Sequence, residues 1–188
     1  MNHQQVVVAF DFSELGEVVL ARAINLVSRA PSHVLHFITV LDPHVEVPGI
    51  PREGAIDYRY ADRVREALAD HVRRAFGTTP ISEEIQFFVH ARIGKPASEI
   101  LDLAREVGAD LIMMGTHGRT GLKHLVLGST AEHVVREAGS PVIVVRPKSY
   151  PDVELTKVIS VGEHPHKSRV LQFSYRNNQV VMKPPDWM

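Results

Sequence analysis

The 188-residue sequence contains no cysteine, so disulfide bridges, thiol catalysis and cysteine metal sites are excluded. It has no basic excess either. Its 21 lysines and arginines face 22 aspartates and glutamates, which argues against binding to nucleic acid or to an anionic membrane surface. No apolar run approaches membrane-spanning length, and residues 1–5 do not resemble a signal peptide. These absences predict a cytoplasmic protein that binds neither nucleic acid nor membrane.

What the sequence does have is a regular alternation of apolar runs and helical stripes. Apolar residues make up 44% of the chain, enough for a substantial core in one domain of this length. Runs without polar interruption are typical of strands that are buried on both faces. Five predominantly apolar strands are predicted at residues 6–10, 34–40, 85–89, 111–114 and 142–145, and the second of them contains the polar residues His36 and Thr39. A helix of 3.6-residue periodicity is predicted between each pair, with Ser13 as the cap of the first.

This alternation predicts an α/β fold, in which helices cover both faces of a parallel sheet. The predicted domain spans residues 1–147. Residues 148–188 are predicted to form a small C-terminal β-hairpin extension, because two short apolar runs flank Asn177 and Asn178, and asparagines suit a tight turn. The stretch 41–56 is rich in proline and glycine and predicts a long loop. A lid, a partner contact and a plain surface loop all remain open for it.

The stretch from Gly115 to Thr130 carries the clearest functional signal. It follows the fourth strand and leads into a helix, and it contains four glycines, several hydroxyls and the cations Arg119 and Lys123. A strand, a glycine-punctuated loop and a helix start together favour phosphate binding, because unpaired N–H groups and the helix dipole attract anions. Asp11, at the end of the first strand, would face this loop if the first and fourth strands are neighbours.

Each of these residues also has a purely structural interpretation. Ser129 and Glu132 have the spacing of a capping box, which needs no ligand. Asp11 has the position to cap the first helix together with Ser13. Neither a Walker-type G-x-x-x-x-G-K-[ST] loop nor a glycine-rich first βα turn is present, so two common nucleotide-binding motifs are excluded.

At full spacing the loop resembles the nucleotide motif of the universal stress protein family, G-x2-G-x9-G-[ST], as Gly115, Gly118, Gly128 and Ser129. The resemblance covers residues 4 to 147 and includes Ala9-x-Asp11-x-Ser13 and the segment 140–147. It implies a Rossmann-like sheet with strand order 3-2-1-4-5. It also implies membership of the ATP-binding subgroup, with ATP (or AMP or ADP) as ligand and Mg²⁺ or Mn²⁺ accompanying the phosphates.

By this resemblance, three groups of residues would bind the nucleotide. The adenine would be bounded by Ala9, Asp11, Val40 and Met114. The ribose and the inner phosphates would be lined by Gly115, Thr116, His117, Gly118, Arg119 and Thr120. The outer phosphates would be held by Gly128, Ser129 and Thr130.

The resemblance further implies a homodimer that pairs through the fifth strand, Val142 to Val145. Residues 148–188 extend beyond the family's usual end, and they would cover this edge, extend the dimer contact or swap between subunits. The predicted function is a nucleotide-binding regulatory protein of the stress response that acts by binding. A slow ATP hydrolase and a dimeric interaction module without nucleotide are the alternatives. No residue is predicted to be catalytic, because Glu132 and His124 are the only nearby candidates for a general base and neither is compelling. No metal-ligating residue is predicted.

Overall fold

The computed structural model describes residues 3–29, 32–78, 85–117, 127–146, 172–176 and 179–183. By proximity the chain divides into two units, Met1–Pro147 and Lys148–Met188. The first unit contains five strands and four helices in strict alternation among the described residues. They are β1 (Gln4–Ala9), α1 (Glu14–Arg29), β2 (His33–Leu41), α2 (Tyr58–Gly77), β3 (Phe87–Ile93), α3 (Pro96–Val107), β4 (Leu111–Gly115), α4 (Ser129–Glu137) and β5 (Val142–Val145).

The five strands form one parallel sheet in the order β3-β2-β1-β4-β5, which confirms the predicted fold class and strand order. The register pairs Val7 of β1 with His36 of β2 on one side and with Ile112 of β4 on the other. The order reverses between β1 and β4. In open α/β sheets, ligands bind beyond the carboxyl ends of the strands at such a reversal.

Two apolar layers enclose the sheet. On one face, α1 and α2 pack on side chains such as Val8, Phe37 and Met113. On the other face, α3 and α4 pack on Val7, Ile38 and other strand residues. Because β1 is buried on both faces, its run of valines has no polar member, as expected of a central parallel strand.

Local signals in the sequence fix several helix ends. The Ser13 hydroxyl accepts a hydrogen bond from the Gly16 N–H at 3.1 Å, so Ser13 caps α1 as predicted. Asp57 caps α2 by accepting from the Tyr60 N–H at 2.8 Å. Gly108 ends α3 with φ 62°, a left-handed conformation that glycine adopts without steric cost.

The third strand differs from the prediction. It spans Phe87–Ile93 instead of residues 85–89, and so includes His90 and Arg92. The strand lies at an edge of the sheet, where polar side chains are tolerated because one side is not covered by another strand. Arg92 also has a specific partner, since its guanidinium makes two hydrogen bonds to the Glu106 carboxylate of α3.

The loop between β2 and α2 is anchored to the first unit. Val47 is buried with Leu41 and Val64, and its backbone forms an isolated bridge with Ile50. The Tyr60 hydroxyl donates to the Ile50 carbonyl at 3.1 Å. The interpretation of residues 41–56 as a plain surface loop therefore needs amendment, because one of its side chains belongs to the core.

The second unit contains a two-stranded antiparallel hairpin, β6 (Gln172–Arg176) and β7 (Gln179–Lys183). Arg176 pairs with Gln179, and Asn177 and Asn178, which are predicted to form the turn, lie outside the described residues. The sequence of residues 153–161 would also allow a short strand, and these residues lie outside the described part of the chain. In the part of the chain that the structure describes, no helix has the length and apolar character needed to cross a membrane.

Candidate functional site

The carboxyl ends of β1 and β4 lie side by side. Val8 pairs with Met113 in the parallel ladder, so the residues that follow each strand leave the sheet at the same edge. Asp11 follows β1, and Gly115 ends β4. The structure thus makes neighbours of the two segments that the sequence singled out.

Asp11 is held in place by the first turn of α1. Its Oδ1 accepts hydrogen bonds from the Ser13 hydroxyl at 2.6 Å and from the Ser13 N–H at 3.1 Å. The same hydroxyl accepts from the Gly16 N–H, so one serine caps the helix and orients the carboxylate. The interpretation of Asp11 as part of the helix cap is therefore correct for one of its two oxygens.

The other oxygen of Asp11 has no such role. Oδ2 is buried, and among the described residues no donor reaches it. A buried acceptor without a partner costs about 1–3 kcal/mol, and more when the group is charged. Buried oxygens without partners are rare in folded proteins and call for an explanation. A ligand hydroxyl or amino group would supply the missing donor.

The backbone beside Asp11 is strained. Phe12 has φ 61°, a left-handed conformation that a bulky residue rarely adopts. Its ring packs edge-on against Phe10 at 5.0 Å and against His71 at 5.4 Å, which compensates for the strained backbone. Strain of this kind concentrates at functional sites, where the surrounding structure holds an unfavourable turn.

Gly115 has a packing role that the sequence did not indicate. A Cβ at this position would lie 2.9 Å from Cδ2 of Leu15, on the first turn of α1. Contacts below 3.0 Å do not occur between real atoms of this kind, so a side chain here would displace Leu15. The glycine therefore lets α1 approach the end of β4. This requirement exists without any ligand, and it stands beside the predicted role of Gly115 at a nucleotide.

The segment after β4 is tied to the start of α4. The Thr116 N–H donates to the Val145 carbonyl at 3.0 Å, and the Gly128 N–H donates to the Thr116 carbonyl at 2.7 Å. A Cβ on Gly128 would lie 3.1 Å from that carbonyl oxygen and 3.4 Å from Cα of His117. Gly128 thus lets the helix start lie directly against the chain that leaves β4.

The capping-box interpretation of Ser129 and Glu132 is wrong. The residue at the N-cap position is Gly128, with extended backbone angles, and no side chain makes a cap hydrogen bond there. Ser129 is already the first residue of α4. The first bond of the helix runs from the Glu132 N–H to the Gly128 carbonyl, so the N–H groups of Ser129, Thr130 and Ala131 precede the helical hydrogen-bond ladder.

An apolar surface completes the described part of the site. Ala9, Val40 and Met114 belong to one cluster on the α3 and α4 side of the sheet. Val40 and Met114 are buried, and Ala9 is half-buried. These three residues, which the resemblance assigned to the adenine, therefore share one face of three adjacent strands.

The remaining predicted residues fall into two groups. Thr116 is buried and His117 is half-buried, with the imidazole Nδ1 3.1 Å from the Thr116 hydroxyl. Gly118, Arg119 and Thr120 lie outside the described residues, as do Lys123 and His124. Glu132 is exposed and lies 3.8 Å from Arg136, one turn along α4.

Within the described ranges, no group of three or more histidines and carboxylates is arranged to hold a metal.

Two residues that the prediction did not include contribute to the site. Ser13 orients Asp11, and Leu15 occupies the space beside Gly115. The spacing Asp-x-Ser contained a signal for the first, because aspartate side chains commonly accept from the backbone two residues on. No local pattern pointed to Leu15, because its partner is 100 positions away in the sequence.

The sequence and the fold both have known relatives. The model of the universal stress protein family matches residues 2–146. The universal stress protein MJ0531 of Methanocaldococcus jannaschii is 33% identical over 147 residues, which are 77% of this chain and 82% of that protein. Sll1388 of Synechocystis is 27% identical over 161 residues, 78% of this chain and 99% of that protein.

Solved structures show the same architecture. The protein MJ0577 aligns with a TM-score of 0.55 and 22% identity, over 80% of this chain and all of its own. A universal stress protein from Archaeoglobus fulgidus in complex with dAMP aligns with a TM-score of 0.53 and 24% identity, over 78% of this chain and all of its own. The fold, the family model and the relative at 33% identity agree, and the chain belongs to the universal stress protein family.

Proposed function

We propose that this protein binds an adenine nucleotide, with ATP as the principal ligand and AMP or ADP as alternatives, in the crevice between the ends of β1 and β4. The observation that carries the proposal is the buried Oδ2 of Asp11, which has no donor among the described residues. Adenosine offers both hydroxyl and amino donors. Two structural neighbours support the choice of ligand, since one universal stress protein was solved with cAMP and another with dAMP.

Each part of the nucleotide has a suitable counterpart. The adenine would contact Ala9, Val40 and Met114, which share an apolar cluster. The phosphates would accept from the N–H groups at the start of α4, where the helix dipole favours an anion by about 0.3–1 kcal/mol. The proposed site also includes Thr116, His117 and the segment 118–120. An accompanying Mg²⁺ or Mn²⁺ would be held chiefly by phosphate oxygens, as Mg²⁺ commonly is at nucleotide sites.

The proposed activity is regulation by binding, as part of a stress response. Efficient hydrolysis needs a group that positions the attacking water near the outer phosphate. Glu132 is exposed and faces Arg136 on its own helix, so the structure offers no argument for that role. A slow ATP hydrolase is the second candidate. A nucleotide-free interaction module is the third, and the unpartnered Asp11 oxygen argues against it.

The direct test begins with the protein as purified. The protein is denatured and the released small molecules are identified by mass spectrometry. We expect an adenine nucleotide, and recovery of intact ATP would support binding without turnover. Nucleotide-free protein is then titrated with ATP while its unfolding temperature is recorded. Binding at 100 times the dissociation constant stabilises the fold by about 2.7 kcal/mol, so the shift must grow with concentration. No released nucleotide and no shift would overturn the proposal.

We also propose that the protein forms a homodimer through β5. This strand is an edge of the five-stranded sheet, and Ile143 on it is 43% exposed. An exposed apolar edge strand is a pairing site unless something covers it. Pairing of two copies of β5 would bury Ile143 and extend the sheet.

Replacing Ile143 by aspartate is expected to shift the protein from dimer to monomer, because the substitution buries a charge at the proposed contact. Light scattering coupled to size-exclusion chromatography measures the mass directly. Tyr58→Asp is the matched control, since Tyr58 is 85% exposed at the start of α2 and should tolerate the same change. If Ile143→Asp remained a dimer, as Tyr58→Asp should, the result would contradict pairing through β5.

A further inference from the structure

A pair of histidines joins the three strands on the β3 side of the sheet. His36 of β2 is 7% exposed, and its Nδ1 lies 3.2 Å from Nε2 of His90 on β3. Its Nε2 lies 2.8 Å from Oε1 of Gln5 on β1. The three side chains therefore form one hydrogen-bonded chain that crosses the three strands diagonally, since Gln5 pairs in register with Val34 and His90 with Ile38.

The neighbouring contacts fix the direction of this chain. Gln5 donates from Nε2 to the His3 carbonyl at 3.3 Å, so its amide oxygen is the atom that faces His36. An amide oxygen can only accept, and His36 must therefore carry its proton on Nε2. Nδ1 of neutral His36 is then an acceptor, and His90 must donate to it from Nε2. Two neutral imidazoles satisfy the arrangement completely.

Protonation disturbs this chain. One added proton can lie between the two facing nitrogens if His90 carries its own proton on Nδ1. A second proton makes both facing nitrogens donors, and two positive rings then stack 5.4 Å apart between centroids. Phe88 also stacks on His36, with the ring centroids 5.0 Å apart, and it carries no charge that would neutralise the pair.

The charged groups around the pair do not compensate either. Arg92 lies two residues beyond His90 on β3. Its guanidinium is hydrogen-bonded to Glu106 of α3 and lies 3.9 Å from Glu99 of the same helix. Asp110, which precedes β4, accepts from the Gln5 N–H at 2.8 Å. Glu106 favours the charged form of His90, and Arg92 opposes it more strongly. Burial, and then the neighbouring His90, lower the pKa of His36 to about 4.

We propose that the His36–His90 pair is an acid-sensitive lock on edge strand β3, which holds the strand while both rings are neutral and releases it when the pair becomes charged. Burial and Arg92 also lower the pKa of His90, so both rings resist protonation in the folded state. An unfolded histidine titrates near 6.5. Between pH 6.5 and 4 the opened state therefore binds protons that the closed state excludes, and opening becomes more favourable as the pH falls.

The lock predicts a local response to acid. If opening takes up one proton, the population of the opened strand rises about tenfold for each pH unit lost between pH 6 and 4.5. Hydrogen–deuterium exchange of the full chain, followed by mass spectrometry, measures this for peptides that cover β3. Peptides that cover β4 in the same sample provide the reference, because intrinsic exchange changes equally with pH in both.

The experiment compares the natural protein with His36→Gln, His90→Gln and His44→Gln. We expect exchange in β3 relative to β4 to rise at least tenfold from pH 6.5 to 5 in the natural protein. The same rise is expected in His44→Gln, whose altered residue is exposed in the loop after β2. In His36→Gln or His90→Gln the rise should fall to less than threefold. An unchanged rise in both pair variants, or loss of protection in β3 and β4 together, would overturn the proposal. Should His36→Gln fail to fold, His90→Gln alone decides.

Discussion

Replacing Asp11 by alanine is expected to lower the affinity for ATP by about 10- to 100-fold. The lost contact is a hydrogen bond from the nucleotide to a buried carboxylate oxygen. Hydrogen bonds to charged groups contribute about 1.5–3 kcal/mol, and each 1.4 kcal/mol corresponds to a factor of ten. Titration calorimetry with ATP, on nucleotide-free protein, gives the two dissociation constants.

Stability should respond much less than affinity. The alanine variant loses the two bonds from Ser13 to Oδ1, each of which contributes about 1 kcal/mol. It also loses the buried Oδ2, whose lack of a partner destabilises the free protein by a similar amount. These effects have opposite sign, so the unfolding temperature without nucleotide should change by only a few degrees, whereas the stabilisation by ATP should nearly vanish.

Two variants serve as controls for this result. Asp110→Ala removes a carboxylate that accepts from the backbone of β1 at the opposite end of the strand, and it should leave ATP affinity unchanged. Ser13→Ala removes the cap of α1 and should lower stability by about 0.5–2 kcal/mol. If Asp11→Ala bound ATP as tightly as the natural protein, the carboxylate would have no place in the site.

Replacing Gly128 by valine is expected to abolish measurable ATP binding and to destabilise the fold by about 1–3 kcal/mol, the range for overpacking a close contact. The backbone of Gly128 has φ −74°, which valine can adopt, so the effect comes from contact and not from backbone strain. The added side chain would meet the Thr116 carbonyl and Cα of His117, both backbone atoms that cannot rotate away. The start of α4 must then move away from β4.

Gly139→Val is the matched control for this prediction. Gly139 lies just beyond the other end of α4, and a Cβ there would meet no atom within 4 Å. The variant should keep both its stability and its ATP affinity. Thermal unfolding measures the stability of the two valine variants, and calorimetry measures their affinity for ATP. A Gly128→Val protein that binds ATP normally would show that the helix start does not contact the nucleotide.

Much of the fold was predictable because its signals are local. An apolar run with no polar interruption identifies a strand buried on both faces, and β5 was predicted with its observed bounds, Val142–Val145. Gly108 is a local signal of the same kind, because glycine readily supplies the left-handed conformation that ends α3. The strand order came from the family resemblance, and the structure confirms it.

The errors occurred where the decisive partner is distant in the sequence. The predicted third strand ended at residue 89 and so left out His90 and Arg92, and only the structure shows that His36 and Glu106 are their partners. The capping box failed because Gly128 makes a close contact with Thr116 and thereby takes the N-cap position that the Ser129–Glu132 spacing suggested for the serine. The role of Leu15 beside Gly115 is of the same kind.

The site itself was predictable only in outline. The sequence predicted that Asp11 lies opposite the loop after β4. It did not show that Oδ1 accepts from Ser13 while Oδ2 is buried without a donor among the described residues. One oxygen is used by the fold, and the other is left for a ligand. The Asp-x-Ser spacing indicates a contact between Asp11 and Ser13, but it does not show that the second carboxylate oxygen is buried without a donor in the described part of the chain.

The most direct test of the account is a crystal structure of the protein grown with ATP. The account predicts a nucleotide between the ends of β1 and β4, with a hydroxyl or amino group within 3.2 Å of Oδ2 of Asp11, a normal hydrogen-bond distance. It also predicts phosphate oxygens at the N–H groups of Ser129 and Thr130. A nucleotide bound elsewhere, or an Oδ2 that a protein donor satisfies while ATP is present, would contradict it.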